Sequence, residues 1–124
     1  MLGMERIIVV DDEPQVTASL ARLLRRRGYD VGIATSASTA LAMLHATPCD
    51  LLITDVVMPD ISGTQLVAEV RRLWPKLPCL LVSGYASLDD DGTGVTDSVL
   101  RKPWNTAELF STIGRALEAA RGGR

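Results

Sequence analysis

A chain of 124 residues is long enough to bury roughly two-thirds of its unfolded surface in one core. A net charge of −2, with 23% charged and 47% apolar residues, is ordinary for a globular protein and gives no reason to expect direct nucleic-acid or membrane-surface binding. No apolar run approaches the ~20 residues of a membrane span and no signal-peptide apolar region opens the chain, so a cytoplasmic location is expected.

Strand and helix signals alternate without an internal linker. The first strand is expected around residues 6–11, through Ile7-Ile8-Val9-Val10, and runs into Asp11-Asp12-Glu13. Pro14 suits a first helical turn, after which Val16, Leu20, Leu23 and Leu24 form an apolar stripe at helical spacing. Gly28 closes that helix. Arg22, Arg25, Arg26 and Arg27 read as its solvated, dipole-favoured end rather than as a docking patch. A second strand, 30–35, leads to a helix capped by Ser36, carrying Ala40, Leu41 and Leu44 and stopping before Pro48. His45, the single histidine, falls in its last turn and reads as a surface residue.

The third strand, 50–55, is apolar nearly to its end and is expected to be buried on both faces. Leu66, Val67, Val70 and Leu73 mark a helix over 63–74, and Pro75 and Pro78 lead to a fourth strand, 79–83. Cys49 and Cys79 read as buried, inert thiols. Residues 86–97 carry two glycines and four aspartates, so no apolar helical stripe can form there. A helix in that stretch is expected to be short or disordered. A fifth strand at Val99-Leu100-Arg101 precedes a last helix, begun by Asn105 with Glu108 as capping-box partner and facing inward through Leu109, Ile113, Ala116, Leu117 and Ala120.

Chemistry gathers where the apolar runs end: Asp11 and Asp12 after the first, Asp55 after the third, Ser83 after the fourth, Lys102 after the fifth. Ligands of open parallel sheets bind beyond the carboxyl ends of the strands. If these strands are parallel neighbours, the five side chains converge. Three carboxylates beside a hydroxyl and an ammonium suit a divalent cation and a phosphoryl group.

The stretches Val9-Val10-Asp11-Asp12-Glu13-Pro14, Thr54-Asp55-Val56-Val57-Met58-Pro59-Asp60-Ile61-Ser62-Gly63, Val82-Ser83-Gly84-Tyr85-Ala86 and Leu100-Arg101-Lys102-Pro103-Trp104 together resemble the receiver domains of two-component response regulators. The phrasing is most similar to receivers of hybrid sensor kinases. The resemblance implies a flavodoxin-like, doubly wound α/β fold: a five-stranded parallel sheet in the order 2-1-3-4-5 with helices on both faces. It implies one receiver domain over residues 1–124, with a core of 6–121 and no output domain.

Position by position, it makes Asp55 the phosphoacceptor. Asp12, Asp55 and the Val57 backbone carbonyl would ligate Mg²⁺ (or Mn²⁺), with Asp11 acting through water. Ser83 and Lys102 would contact the phosphoryl oxygens, and Gly84 and Tyr85 would govern access of the hydrolytic water. The Lys102–Pro103 bond is expected to be cis. Implied partners are a histidine kinase or histidine phosphotransfer protein, an unknown downstream protein, and a second copy in a homodimer. On this reading the chain is not an enzyme acting on other substrates, but it assists its own phosphorylation and dephosphorylation.

Three departures from the family pattern stand out. Val99 replaces the usual aromatic partner of the switch hydroxyl Ser83. Ser83 and Lys102 are 19 positions apart, closer than is usual, which motivates an order–disorder switch in residues 86–97. Val57 offers no side-chain hydrogen bond to water, so a long-lived phosphoryl-aspartate is expected. Two other readings compete: a receiver-like interaction module independent of phosphorylation, and a Mg²⁺-dependent phosphohydrolase with Asp55 as nucleophile. The second is disfavoured by Val57, where such enzymes place another acid, and by the lack of room for a cap.

Overall fold

A computed structural model of the chain describes residues 5–56, 58, 60–83, 98–101 and 105–122; for 83, 98–101 and 121–122 the description is of the backbone. Five strands, β1 (Arg6–Val10), β2 (Asp30–Ala34), β3 (Leu51–Asp55), β4 (Cys79–Ser83) and β5 (Ser98–Arg101), form one sheet in the order β2-β1-β3-β4-β5. Every pairing is parallel. Four helices are described: α1 (Pro14–Arg26), α2 (Ala37–Ala46), α3 (Gly63–Leu73) and α4 (Thr106–Gly122). The fold is the flavodoxin-like doubly wound sheet that the resemblance implied, with each strand within a residue or so of its expected span. The short or disordered helix, and the switch, expected in residues 86–97 lie outside the described residues.

Side chains that alternate along each strand divide the interior in two. Ile7, Val9, Leu51, Ile53, Leu80 and Val82 meet Leu20 and Leu24 of α1 and Leu109 and Ile113 of α4 on one face. Ile8, Val10, Leu52 and Leu81 meet Ala40 and Leu44 of α2 and Leu66, Val67 and Val70 of α3 on the other. β1 and β3 are therefore buried on both faces, as their unbroken apolar runs predict. Each fully buried Leu or Ile among them contributes about 1.5–3 kcal/mol relative to exposure.

Helix ends follow the local signals. Pro14 opens α1, and Gly28, at φ 95°, occupies a backbone region that disfavours a side chain just past its end. Ser36 accepts a hydrogen bond from Thr39 N–H to cap α2, and Asn105 accepts one from Glu108 N–H at 2.7 Å at the start of α4.

Two helical stripes differ from expectation. On α1 the buried residues are Thr17, Leu20, Ala21 and Leu24, while Val16 and Leu23 are half-buried. Thr17 is accepted inside because its hydroxyl donates to the Pro14 carbonyl at 2.8 Å. Leu73 is 36% exposed, because α3 ends there and leaves the sheet. The α1 arginines are more than a solvated end. Arg25 donates to the Val31 carbonyl at 2.9 Å, and the Arg27 guanidinium lies 3.9 Å from the Phe110 ring centroid on α4. His45 is exposed and meets the Trp74 ring edge-on at 4.9 Å. Cys49 and Cys79 are free thiols, half-buried and buried, and burial pushes the Cys49 thiol up from its ordinary value. No described helix is long and apolar enough to cross a membrane.

Candidate functional site: three carboxylates at the sheet edge

Parallel register delivers the acids to one edge. Val10 pairs with Thr54, so the next residue of each strand, Asp11 and Asp55, emerges side by side. Asp11, Asp12 and Asp55 each place a carboxylate oxygen within 4.8 Å of the others. Asp11 is buried, Asp55 half-buried and Asp12 exposed, so the cluster opens to solvent on one side. Three acids this close repel one another unless positive charge or protons intervene. An all-oxygen, all-anionic donor set is the chemistry that hard divalent cations such as Mg²⁺ prefer.

Asp11 and Asp55 are held from their backbones outward. Asp11 N–H donates to the Ala34 carbonyl at 3.2 Å, and Asp11 Oδ1 accepts from Glu13 N–H at 3.0 Å. Glu13, not Asp11 or Asp12, occupies the N-cap position of α1, so the two aspartates are not spent on that cap. Asp55 Oδ1 accepts from Val56 N–H at 2.9 Å, and the Thr54 hydroxyl donates to the Asp55 carbonyl at 2.9 Å. Thr54 is fully buried, and that bond gives its hydroxyl a partner.

The opposite side of the site rests on β4 and β5. Ser83 ends β4 and pairs with Arg101, so the backbone brings Ser83 and the residue before Lys102 to the same edge as Asp55. Val99 pairs with Leu81, two residues earlier on each strand. Val57, Gly84, Tyr85 and Lys102, and the Lys102–Pro103 bond, lie outside the described residues.

Three features of the β3–α3 connection have roles that the sequence reading did not assign. Gly63 sits directly beneath the acidic site: its N–H donates to the Val56 carbonyl at 2.7 Å, and a Cβ there would overlap the Asp55 carbonyl oxygen. Ser62 and Gln65 form a reciprocal capping box that starts α3, a signal present in the Ser-x-x-Gln spacing. Asp60 reaches away from the site, accepting from Ala37 N–H at 3.4 Å and Ser38 N–H at 3.2 Å on α2. Its carboxyl is held below the ordinary carboxylate value, first by the Ile61 backbone N–H and then, against desolvation, by those of Ser38 and Ala37. No local pattern announces partners 22 and 23 residues upstream.

A separate open cleft of about 510 Å³, lined by Cys49, Leu73, Trp74, Leu77 and Leu117 among others, sits at the amino ends of the strands. It is remote from the acids.

A parallel sheet in the order 2-1-3-4-5 with clustered acids beyond β1 and β3 is a doubly wound α/β architecture whose candidate site lies at the carboxyl ends of its strands. The match to the family model for the response regulator receiver domain runs over residues 7–114, and the chain belongs to that family of two-component signalling proteins. It is 36% identical over 115 residues to the DNA-binding transcriptional regulator NtrC of Rhizobium meliloti, covering 90% of this chain and 24% of NtrC. The chain spans from about a quarter to a half of the length of the first curated relatives it matches. Among solved structures, a CheY-like response regulator receiver domain protein from Methanospirillum hungatei superposes with a TM-score of 0.92 at 30% identity, covering 98% of this chain and 100% of that one. The response regulator TrrA of Thermotoga maritima, solved in complex with Mg²⁺–BeF, superposes with a TM-score of 0.85 at 31% identity, covering 91% and 99%.

Proposed function

We propose that residues 1–124 make one receiver domain, with a core of 6–121, in which Asp55 accepts a phosphoryl group from a phosphohistidine donor. That donor is a histidine kinase or a histidine phosphotransfer protein. An Asp55 carboxylate oxygen attacks the phosphorus, the phosphorus–nitrogen bond of the donor breaks, and the imidazole leaves with the bond's electron pair. The resulting acyl phosphate is later cleaved by water, which returns the carboxylate and releases phosphate. Self-assisted phosphorylation and dephosphorylation of this kind is the extent of the catalysis proposed.

The observation that carries this reading is the meeting of Asp11, Asp12 and Asp55 within 4.8 Å at the carboxyl edge of the sheet. Asp12, Asp55 and the Val57 carbonyl would hold Mg²⁺, with Asp11 bonded to it through water; Mn²⁺ would substitute. The ion's contribution is to offset negative charge where the phosphoryl oxygens gather. Phosphoryl transfer passes through a loose, nearly in-line transition state, so positioning and charge stabilisation account for most of the rate. Ser83 and Lys102 take the phosphoryl oxygens on the opposite side, while Gly84 and Tyr85 screen the water. That the similar TrrA was solved in complex with Mg²⁺–BeF supports a divalent cation at the site. Phosphorylation then alters affinity for a downstream protein, or for a second copy of the chain, through Ser83; Val99 offers no ring to turn inward, so the signal leaves the site by a different route.

Intact-mass measurement after treatment with a small phosphodonor, with and without Mg²⁺, tests this. One Mg²⁺-dependent phosphoryl adduct on wild type, absent from Asp55→Asn, is expected. A folded, Mg²⁺-binding wild type that takes no adduct would instead favour a phosphorylation-independent interaction module.

A further inference from the structure

Intrahelical bonding leaves the amides of Ala37, Ser38 and Thr39 in the first turn of α2 without partners. The Ser36 hydroxyl accepts from Thr39 N–H at 3.2 Å. The other two are taken by Asp60, from Ala37 at 3.4 Å and from Ser38 at 3.2 Å. α2 has no acid in its own first turn, so the negative charge favoured at that end of the helix dipole comes from the β3–α3 connection. α2 buries Ala37, Ala40 and Leu44, with Leu41 and Met43 packed partly buried beside them. Its first turn puts only the methyl groups of Ala37 and Ala40 into the core, and the tie from Asp60 adds to that light apolar contact.

The connection that carries Asp60 also begins at the acidic site. Asp55 Oδ1 accepts from Val56 N–H, the Val56 carbonyl accepts from Gly63 N–H, and Gly63 lies against the Asp55 carbonyl. These contacts fix the two ends of the connection, and Asp60 fixes its middle to a neighbouring helix. Asp60 itself is exposed, so burial of its side chain adds little, and its contribution lies in where it holds the chain.

We propose that Asp60 is a positioning residue for the acidic site: seated on the first turn of α2, its carboxylate holds the segment following Asp55 so that cation affinity at Asp11, Asp12 and Asp55, and phosphoryl transfer to Asp55, depend on this contact. The proposal rests on the phosphoacceptor reading above. α2 thereby becomes part of the site's scaffold without contributing a residue to the chemistry.

Four proteins test it: wild type, Asp60→Ala, Asp60→Asn, and Asp60→Ala combined with Ser38→Asp. The Ser38→Asp change returns a carboxylate to the first turn of α2 without restoring the tie to the connection. Each is measured for thermal midpoint, for Mg²⁺ affinity by calorimetry, and for the initial rate of adduct formation from acetyl phosphate. Asp60→Ala is expected to bind Mg²⁺ about tenfold more weakly, the low end of what losing a supporting partner of a metal site costs, and to form adduct correspondingly more slowly. Asp60→Asn, which keeps one acceptor oxygen, should fall between. The double variant should regain the thermal midpoint but neither Mg²⁺ affinity nor rate.

Affinity and rate equal to wild type in Asp60→Ala would overturn the proposal. So would their recovery together with the midpoint in the double variant, since capping alone would then explain the residue. Should Asp60→Ala fail to fold, Asp60→Asn and the double variant decide on the same terms. A wild type that neither binds Mg²⁺ nor takes an adduct would defeat the phosphoacceptor reading itself, and this proposal with it.

Discussion

The same substitution, Gly→Ala, should act in opposite directions at Gly63 and Gly114. At Gly63 an added Cβ would overlap the Asp55 carbonyl oxygen and lie 2.9 Å from the Asp55 carbonyl carbon and 3.0 Å from Val56 Cα. All three are backbone atoms at the end of a buried strand, so none can rotate aside, and the start of α3 must move out. Overpacking of that kind costs about 2–3 kcal/mol, and at about 3–6 °C per kcal/mol for a domain of this size the midpoint should fall by about 6–18 °C. At Gly114, exposed in the interior of α4, nothing lies within 4 Å of the added Cβ. Alanine there should gain about 0.5–1 kcal/mol from its better helix propensity, raising the midpoint by about 1.5–6 °C. Calorimetric or circular-dichroism melting of the two variants beside wild type reads both signs. The shift of α3 should also displace Asp55 relative to Asp11 and Asp12, so Gly63→Ala should accept phosphoryl groups more slowly while Gly114→Ala matches wild type. A Gly63→Ala protein as stable as wild type would refute the steric argument, and with it the account of why glycine stands beneath the site.

Asp60 carries a pH signature. Its folded-state carboxyl titrates below the ordinary value, with the Ile61 amide as the leading cause, so its stabilising contribution is present above the unfolded-state pKa of about 3.9 and is lost as pH falls through the lower folded value. Urea midpoints of wild type and Asp60→Asn should differ at pH 5 and converge towards pH 2, and a gap that persists unchanged at the acid end would contradict this. Val57→Asn supplies an amide able to orient water near the acyl phosphate and should speed loss of the phosphoryl group severalfold. An unchanged or slower decay of the adduct by intact mass would count against the role given to Val57.

Much of the architecture was legible because its causes are local. Ile7-Ile8-Val9-Val10 and Leu51-Leu52-Ile53 announce doubly buried strands whatever surrounds them, and Asp11, Asp12 and Asp55 stand out because an acid has no packing role at the end of such a run. Pro14, Ser36, Asn105 and Gly28 mark helix ends by backbone rules acting within four residues.

Tertiary structure alone decided what depends on the relative placement of distant segments. The α1 stripe buries Thr17 and Ala21 more deeply than Val16 and Leu23, because the angle at which the helix lies on the sheet selects its inner face. Asp11 meets Asp55 through the Val10–Thr54 register, which no spacing along the chain encodes. Asp60 finds α2, and Gly63 finds the Asp55 carbonyl, only once β3 and its neighbours are stacked. Periodicity and capping are read from neighbouring residues, whereas register, close approach and long-range capping are settled by how whole elements pack. The three carboxylates were therefore visible in the sequence, and the contacts that hold Asp11 and Asp55 became visible only in the fold.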